Sequence, residues 1–257
     1  MALAATAPIL EVDRLEKHYG GVRAVDGISF TVTRGAITGL IGPNGAGKST
    51  ALAMIGGFVQ PSGGRVRFDG VDITGMPMHS RARLGLVRTF QMARVFASLT
   101  TLENLLVAAP HQRGERASGV LGGRRLWRGQ ETELIDQAQA MLQTFSMGPK
   151  ANDLAGTLSG GQKRAIEIMR ALMMQPKLLL LDEPMAGLSP SLSRHLEDVL
   201  LDLAEGGLSL LLVEHELETV DKLCGNVVVM AQGKVLSEGR MSELRLSREV
   251  QDAYVIG

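Results

Sequence analysis

Residues 36–50 read AITGLIGPNGAGKST, and this stretch decides how the rest of the chain is understood. Residues 36–41 are a short apolar run suited to a buried strand, and residues 49–55 suit a helix. Between them GPNGAGKS, residues 42–49, fits the pattern G-x-x-x-x-G-K-[ST]. A strand that feeds a glycine-rich turn opening a helix aims several backbone N–H groups at one point, where a phosphate can sit. Gly42, Gly45 and Gly47 permit close approach and unusual backbone angles, with Pro43, Asn44 and Ala46 completing the loop. Lys48 then reaches the β- and γ-phosphates of a nucleotide. The hydroxyl of Ser49, which Thr50 follows, holds Mg²⁺.

The other half of such a site needs a carboxylate at the end of a buried strand. Residues 178–181 are LLLL, continuously apolar as a central parallel strand should be, and Pro184 stops them. Asp182 is placed to bind Mg²⁺ directly or through water. Glu183 is placed to face the γ-phosphate and polarise the attacking water.

At 257 residues the chain can bury a large core, either as one α/β domain with a subdomain or as two small domains. We take residues 1–257 as a single domain. Lys plus Arg and Asp plus Glu balance at 27 each, so no global field favours nucleic acid, and scarce aromatics weaken any base-stacking role. The lone Cys224 excludes an internal disulfide. The opening MALAATAPIL lacks a basic leader, so no signal peptide is expected. Apolar runs elsewhere are too short to span a bilayer, which leaves a peripheral role at any membrane.

Residues 9–32 alternate apolar and polar around a turn at Gly20 and Gly21, and residues 65–68 are another short strand. Together they predict an antiparallel β subdomain at the N-terminus. Strand signals then recur at 36–41, 178–181, 208–213 and 227–230, with Gln232 and Gly233 as a hairpin turn into 235–237. Between Gln91 and Gly161 the period is helical, clearest over 102–109 and 131–145. The fold class is therefore α/β: a P-loop NTPase core with a mostly parallel sheet, and an α-helical subdomain inserted at 92–165. A helical tail is expected over 239–257.

LSGGQ, residues 158–162, stands shortly before the second nucleotide motif. Ser159, Gly160 and Gly161 open a helix over 163–174, which fits a plain N-cap and equally an anion site. In this position, with Gln91 ahead and His215 behind, the motif order resembles that of the ABC transporter ATPases over nearly the whole chain. The resemblance implies that Tyr19, in HYGGVRAV, stacks on adenine. It implies that Gln91, in RTFQ, contacts Mg²⁺ and the lytic water, and that His215 contacts the γ-phosphate. It also implies that Ser159, Gly160, Gly161 and Gln162 face ATP held by a second ATPase subunit, identical or different. One position departs from the family's commonest pattern: Ser189 stands where an aspartate often ends the loop after residue 186.

Four stretches look like the ATPases of branched-chain amino acid importers: RTFQMARVFASLTTLENLLVA, DEPMAGLSP, VEHELETV and the tail REVQDAYVIG. That likeness implies two integral membrane permease subunits, an extracytoplasmic solute-binding protein and a place on the cytoplasmic face of the plasma membrane. Of the two ATPases such importers carry, Glu214, His215 and Glu216 side with the Glu-His-Asp type. Much the same tail occurs in ATPases for urea and short amides; export or envelope lipid transport is a further alternative, and an ABC-type ATPase that serves no transporter is another. Residues 111–130 carry five arginines among glycines, a pattern of solvated loops and also of contacts with anionic lipid.

Overall fold

The computed structural model describes residues 7–89, 95–110 and 125–256. Gln91 and most of the arginine-rich segment lie outside them. The chain divides into two compact units, Met1–Gln91 with Lys177–Ala186 and Leu200–Gly257, and Met92–Pro176 with Gly187–Val199. The strands in chain order are β1 (Leu10–Tyr19), β2 (Val22–Val32), β3 (Ile37–Ile41), β4 (Gly63–Phe68), β5 (Val71–Asp72), β6 (Leu86–Arg88), β7 (Leu178–Asp182), β8 (Ser209–Val213), β9 (Asn226–Ala231) and β10 (Lys234–Gly239). The helices are α1 (Lys48–Ile55), α2 (Met78–Leu84), α3 (Thr101–Leu106), α4 (Arg125–Thr144), α5 (Gly160–Met173), α6 (Pro190–Glu205), α7 (Leu217–Leu223), α8 (Met241–Leu244) and α9 (Arg248–Ile256).

In the first unit, a six-stranded sheet runs β10-β9-β3-β8-β7-β6, parallel except for β10. Every residue of β3, β7 and β8 is buried, as continuous apolar runs in a parallel sheet require. The β9–β10 turn places Gln232 at φ 48° and Gly233 at φ 79°, the left-handed pair that a two-residue hairpin loop demands. A second, antiparallel sheet runs β2-β1-β4-β5. In β4, Val66 and Phe68 point into the core while Arg65 and Arg67 face out, the period-two pattern read from 65–68.

Among the elements of this unit that the sequence reading does not name are β6 and α2. β6 is a three-residue edge strand, and α2 precedes it within a stretch that reads as polar. What makes α2 essential is Arg81, fully buried although charged. Its Nη1 donates to the carbonyls of Met54 and Ile55, both at 2.7 Å, its Nη2 to Thr74 O at 2.9 Å and its Nε to Met76 O at 2.9 Å. The guanidinium thus caps the C-terminal carbonyls of α1, where the helix dipole favours a cation. Burial lowers its pKa to about 10. Arg81→Leu should leave these carbonyls unsatisfied and cost about 3 kcal/mol. Thermal unfolding should then fall by roughly 6–12 °C, and an unchanged midpoint would refute the role.

The second unit holds α3, α4 and α5. It takes in more chain than 92–165, because α5 runs unbroken to Met173 and the segment from Gly187 joins it. Thr100 and Glu103 form a reciprocal capping box on α3. Asn104, fully buried, ties the approach to this helix: Oδ1 accepts from Phe96 N at 2.9 Å, and Nδ2 donates to Phe96 O and Thr100 O.

Cys224, after α7, packs under the sheet. A Cβ on Gly39 of β3 would stand 3.0 Å from its sulfur, and burial pushes the thiol up to about 12.

Candidate functional site

The loop between β3 and α1 is held by contacts that only glycine tolerates. At Gly42, φ is 146° and a Cβ would fall 2.0 Å from Met230 O. At Gly47, φ is 97° and a Cβ would fall 2.4 Å from Ala24 O. Gly47 is also the N-cap of α1, and since it lacks a side chain the first turn of the helix has no side-chain cap. Its amides are therefore left to an anion.

Lys48 is 6% exposed. Its Nζ donates to Gly42 O at 2.7 Å and Pro43 O at 2.9 Å, so the lysine folds back onto its own loop. Burial lowers the pKa of the ammonium, while Glu183 and Asp182 draw it back up. Phosphate oxygens are better partners for this ammonium than two neutral carbonyls. From α9, Tyr254 brings a buried hydroxyl against the backbone of Gly42, outside strict hydrogen-bond geometry.

The carboxylates enter from β7. Asp182 is buried, and its Oδ2 accepts from Arg88 Nη2 of β6 at 3.0 Å. Arg88 in turn lies over the ring of Phe58, 5.1 Å from its centroid. Asp182 pairs with Val213 across the parallel ladder, so the residues just beyond these strand ends emerge side by side. There His215 Nε2 donates to Glu183 Oε1 at 2.6 Å, a pairing that fixes the imidazole tautomer. Glu183 sits at φ 49°, an uncommon conformation for a side-chain-bearing residue that needs support from its surroundings. Glu214, 4% exposed, accepts from Met185 N at 3.0 Å and His215 N at 3.2 Å. Burial raises its pKa above the ordinary glutamate range.

Among the described residues no group of three or more His, Cys, Asp and Glu is set to hold a metal. A Mg²⁺ that arrives on phosphates needs only one or two protein oxygens. Ser49 at the start of α1 and Asp182 at the end of β7 supply oxygens of that kind. Tyr19 ends β1 with its ring half exposed, and Lys17 Nζ lies 5.1 Å from the ring centroid.

In the second unit, Ser159 caps α5. Its Oγ accepts from Gln162 N at 3.3 Å, and Gln162 Oε1 accepts from Ser159 N at 2.9 Å. The serine keeps its own O–H to donate. Gly160 has open space where a Cβ would stand. Ser189 is explained by the helix that follows it: its Oγ accepts from Leu192 N, its carbonyl accepts from Ser193 N, and Pro190 opens α6. A serine cap thus occupies the position that the sequence singled out as a departure.

Sequence reasoning missed Arg88 and Glu214 as parts of this site. Arg88 stood within reach, three residues before Gln91, but nothing local announces its partner 94 residues away.

Comparison with known proteins agrees with this geometry. Residues 25–186 match the family described as ABC transporter. The high-affinity branched-chain amino acid transport ATP-binding protein BraF of Pseudomonas aeruginosa is 39% identical over 249 residues, covering 96% of this chain and 98% of the relative. The probable branched-chain amino acid transport ATP-binding protein LivG of Archaeoglobus fulgidus is 38% identical, covering 96% and 95%. Among solved structures, the ADP conformation of MJ1267, an ATP-binding cassette of an ABC transporter, aligns with a TM-score of 0.83 at 34% identity, over 97% of this chain and 99% of that one. With more than half its length matched by the family and relatives aligned nearly from end to end, this chain belongs to the ABC transporter family of ATP-binding proteins.

Proposed function

We propose that the chain is the ATP-hydrolysing subunit of an importer for branched-chain amino acids. The observation that carries the chemistry is the convergence of Lys48, Asp182, Glu183 and His215 at neighbouring ends of β3, β7 and β8. The solute class rests on the names of relatives such as BraF and LivG.

In this reading Lys48 leaves the carbonyls of Gly42 and Pro43 for the β- and γ-phosphates, joined by the uncapped amides of α1. Residues 42–50 wrap the phosphates, and Tyr19 offers its exposed ring to adenine. Ser49 and Asp182 would hold Mg²⁺, which when bound would supply neutralising charge beside the phosphates. The family resemblance would add Gln91, which lies outside the described residues, as a further ligand of this metal and of the water. Glu183 orients the attacking water and draws off its proton, while His215 holds Glu183 and faces the γ-phosphate. Phosphoryl transfer needs little covalent help, so alignment and charge do the chemistry.

Ser159, Gly160, Gly161 and Gln162 then serve the nucleotide of a second ATPase subunit, so that ATP binding draws two subunits together and hydrolysis releases them. That cycle drives a pair of membrane permeases fed by an extracytoplasmic solute-binding protein. The chain itself works peripherally at the cytoplasmic face of the membrane. Among the described residues no helix is long and apolar enough to cross a membrane.

The test is purification of the chain with its native permeases and reconstitution into liposomes. ATP-dependent uptake of labelled leucine, isoleucine and valine is expected. ATP-dependent uptake of urea or short amides without leucine would replace the solute class, and ATP-driven efflux would overturn the direction.

A further inference from the structure

Beyond Asp182 and Val213 the ladder between β7 and β8 ends, yet the two residues argued to meet at the γ-phosphate lie past that point. One backbone bond continues the pairing, from Glu183 N to Val213 O at 2.9 Å. Pro184, next in the chain, has no N–H to offer. Past this point the segment carrying Glu183 and the segment carrying His215 are joined through side chains.

Glu214 spans the gap. One carboxylate oxygen accepts the amide of Met185, two residues past Glu183, and the other accepts the amide of His215 itself. The side chain thus acts as an added rung, joining two backbones where the sheet can no longer do so. It is buried, so these bonds are shielded from competing water. It also bears on the backbone of Glu183, whose left-handed φ of 49° must be held by what surrounds it. Ala186 N, donating to Glu183 O at 3.2 Å, and the Glu214 clamp on Met185 close the turn on its far side.

We propose that Glu214 is the positioning residue of the hydrolytic pair: by holding Met185 and His215 with one carboxylate, it sets the 2.6 Å contact between His215 and Glu183. This rests on the ATPase reading above. A glutamate suits the place because both oxygens accept. A glutamine keeps one acceptor but turns an NH₂ group toward an amide donor, and an alanine keeps neither.

The experiment is steady-state ATP hydrolysis by the assembled transporter carrying Glu214→Gln or Glu214→Ala, with Glu183→Gln as control and melting temperatures recorded. Turnover should fall roughly 10- to 100-fold in Glu214→Ala and less in Glu214→Gln, since small misplacements of catalytic groups cost rates of that order. The KM for ATP should stay within about twofold, because Lys48 and the loop are untouched. If Glu214→Ala fails to fold, the near-isosteric Glu214→Gln decides alone through the split between kcat and KM. Wild-type turnover in a folded variant overturns the proposal, and so does a KM that rises in step with the loss of kcat. Normal turnover in the Glu183→Gln control would instead remove Glu183 from the hydrolytic pair, and absence of ATP turnover in the unmodified transporter would overturn the ATPase reading itself.

Discussion

Glu183→Gln is expected to keep ATP bound and nearly unhydrolysed, with turnover lowered by about 10²- to 10⁴-fold, the usual worth of a positioned general base. Glutamine preserves the shape and can still accept from His215 Nε2, so the 2.6 Å contact survives in neutral form. What disappears is the charge that draws a proton from water. Affinity should persist, because Lys48 and the loop from Gly42 are unaffected. Paired subunits should therefore accumulate on addition of ATP, visible as a doubled species in size-exclusion chromatography. Turnover within threefold of wild type would remove Glu183 from its role.

Lys48→Ala acts on the earlier step. The ammonium is buried against two backbone carbonyls; burial lowers its pKa, and Glu183 and Asp182 offset part of that lowering. Removing it forfeits charge-assisted bonds to phosphate worth about 3–6 kcal/mol, or roughly 10²- to 10⁴-fold in affinity. It also leaves those carboxylates to repel the incoming phosphates. Titration with a fluorescent ATP analogue checks this, and an unchanged Kd would take Lys48 out of the site. Mixing tests the signature with the same variant. Lys48→Ala chains and Ser159→Arg chains each lack a complete site when paired with themselves. Paired with one another, they recover one site only if Ser159 serves the opposite subunit.

The loop, its strand and the carboxylates of β7 were legible because each is encoded within a few consecutive residues. Glycines at 42, 45 and 47, a lysine and an apolar run suffice to specify a strand, a turn and a helix opening. Ser159 was legible as a cap for the same reason, since its partner Gln162 is three residues away. The rest depends on pairs far apart in the chain. Arg88 meets Asp182 across 94 positions, and Glu214 meets Met185 across 29. Arg81 stands among Arg83, His79 and Ser80 with nothing local to mark it, because only the folded backbone turns four carbonyls toward it. β6 was missed for a simpler reason: three residues are too few to display a period. Ser189 was seen as a departure, and the helix it caps explains the choice.

Cys224 gives this protein a practical opening. It is the sole thiol of the chain, wedged beneath Gly39 and carrying a proton far beyond neutral pH. Thiol reagents act on thiolates, so this sulfur stays silent in the folded state. A cysteine introduced at an exposed position in each unit, at Leu246 and Leu154 for example, would then be the only handle for a spectroscopic label. No cysteine-free background has to be engineered first, and distances between the units can be followed as ATP is added to otherwise native protein.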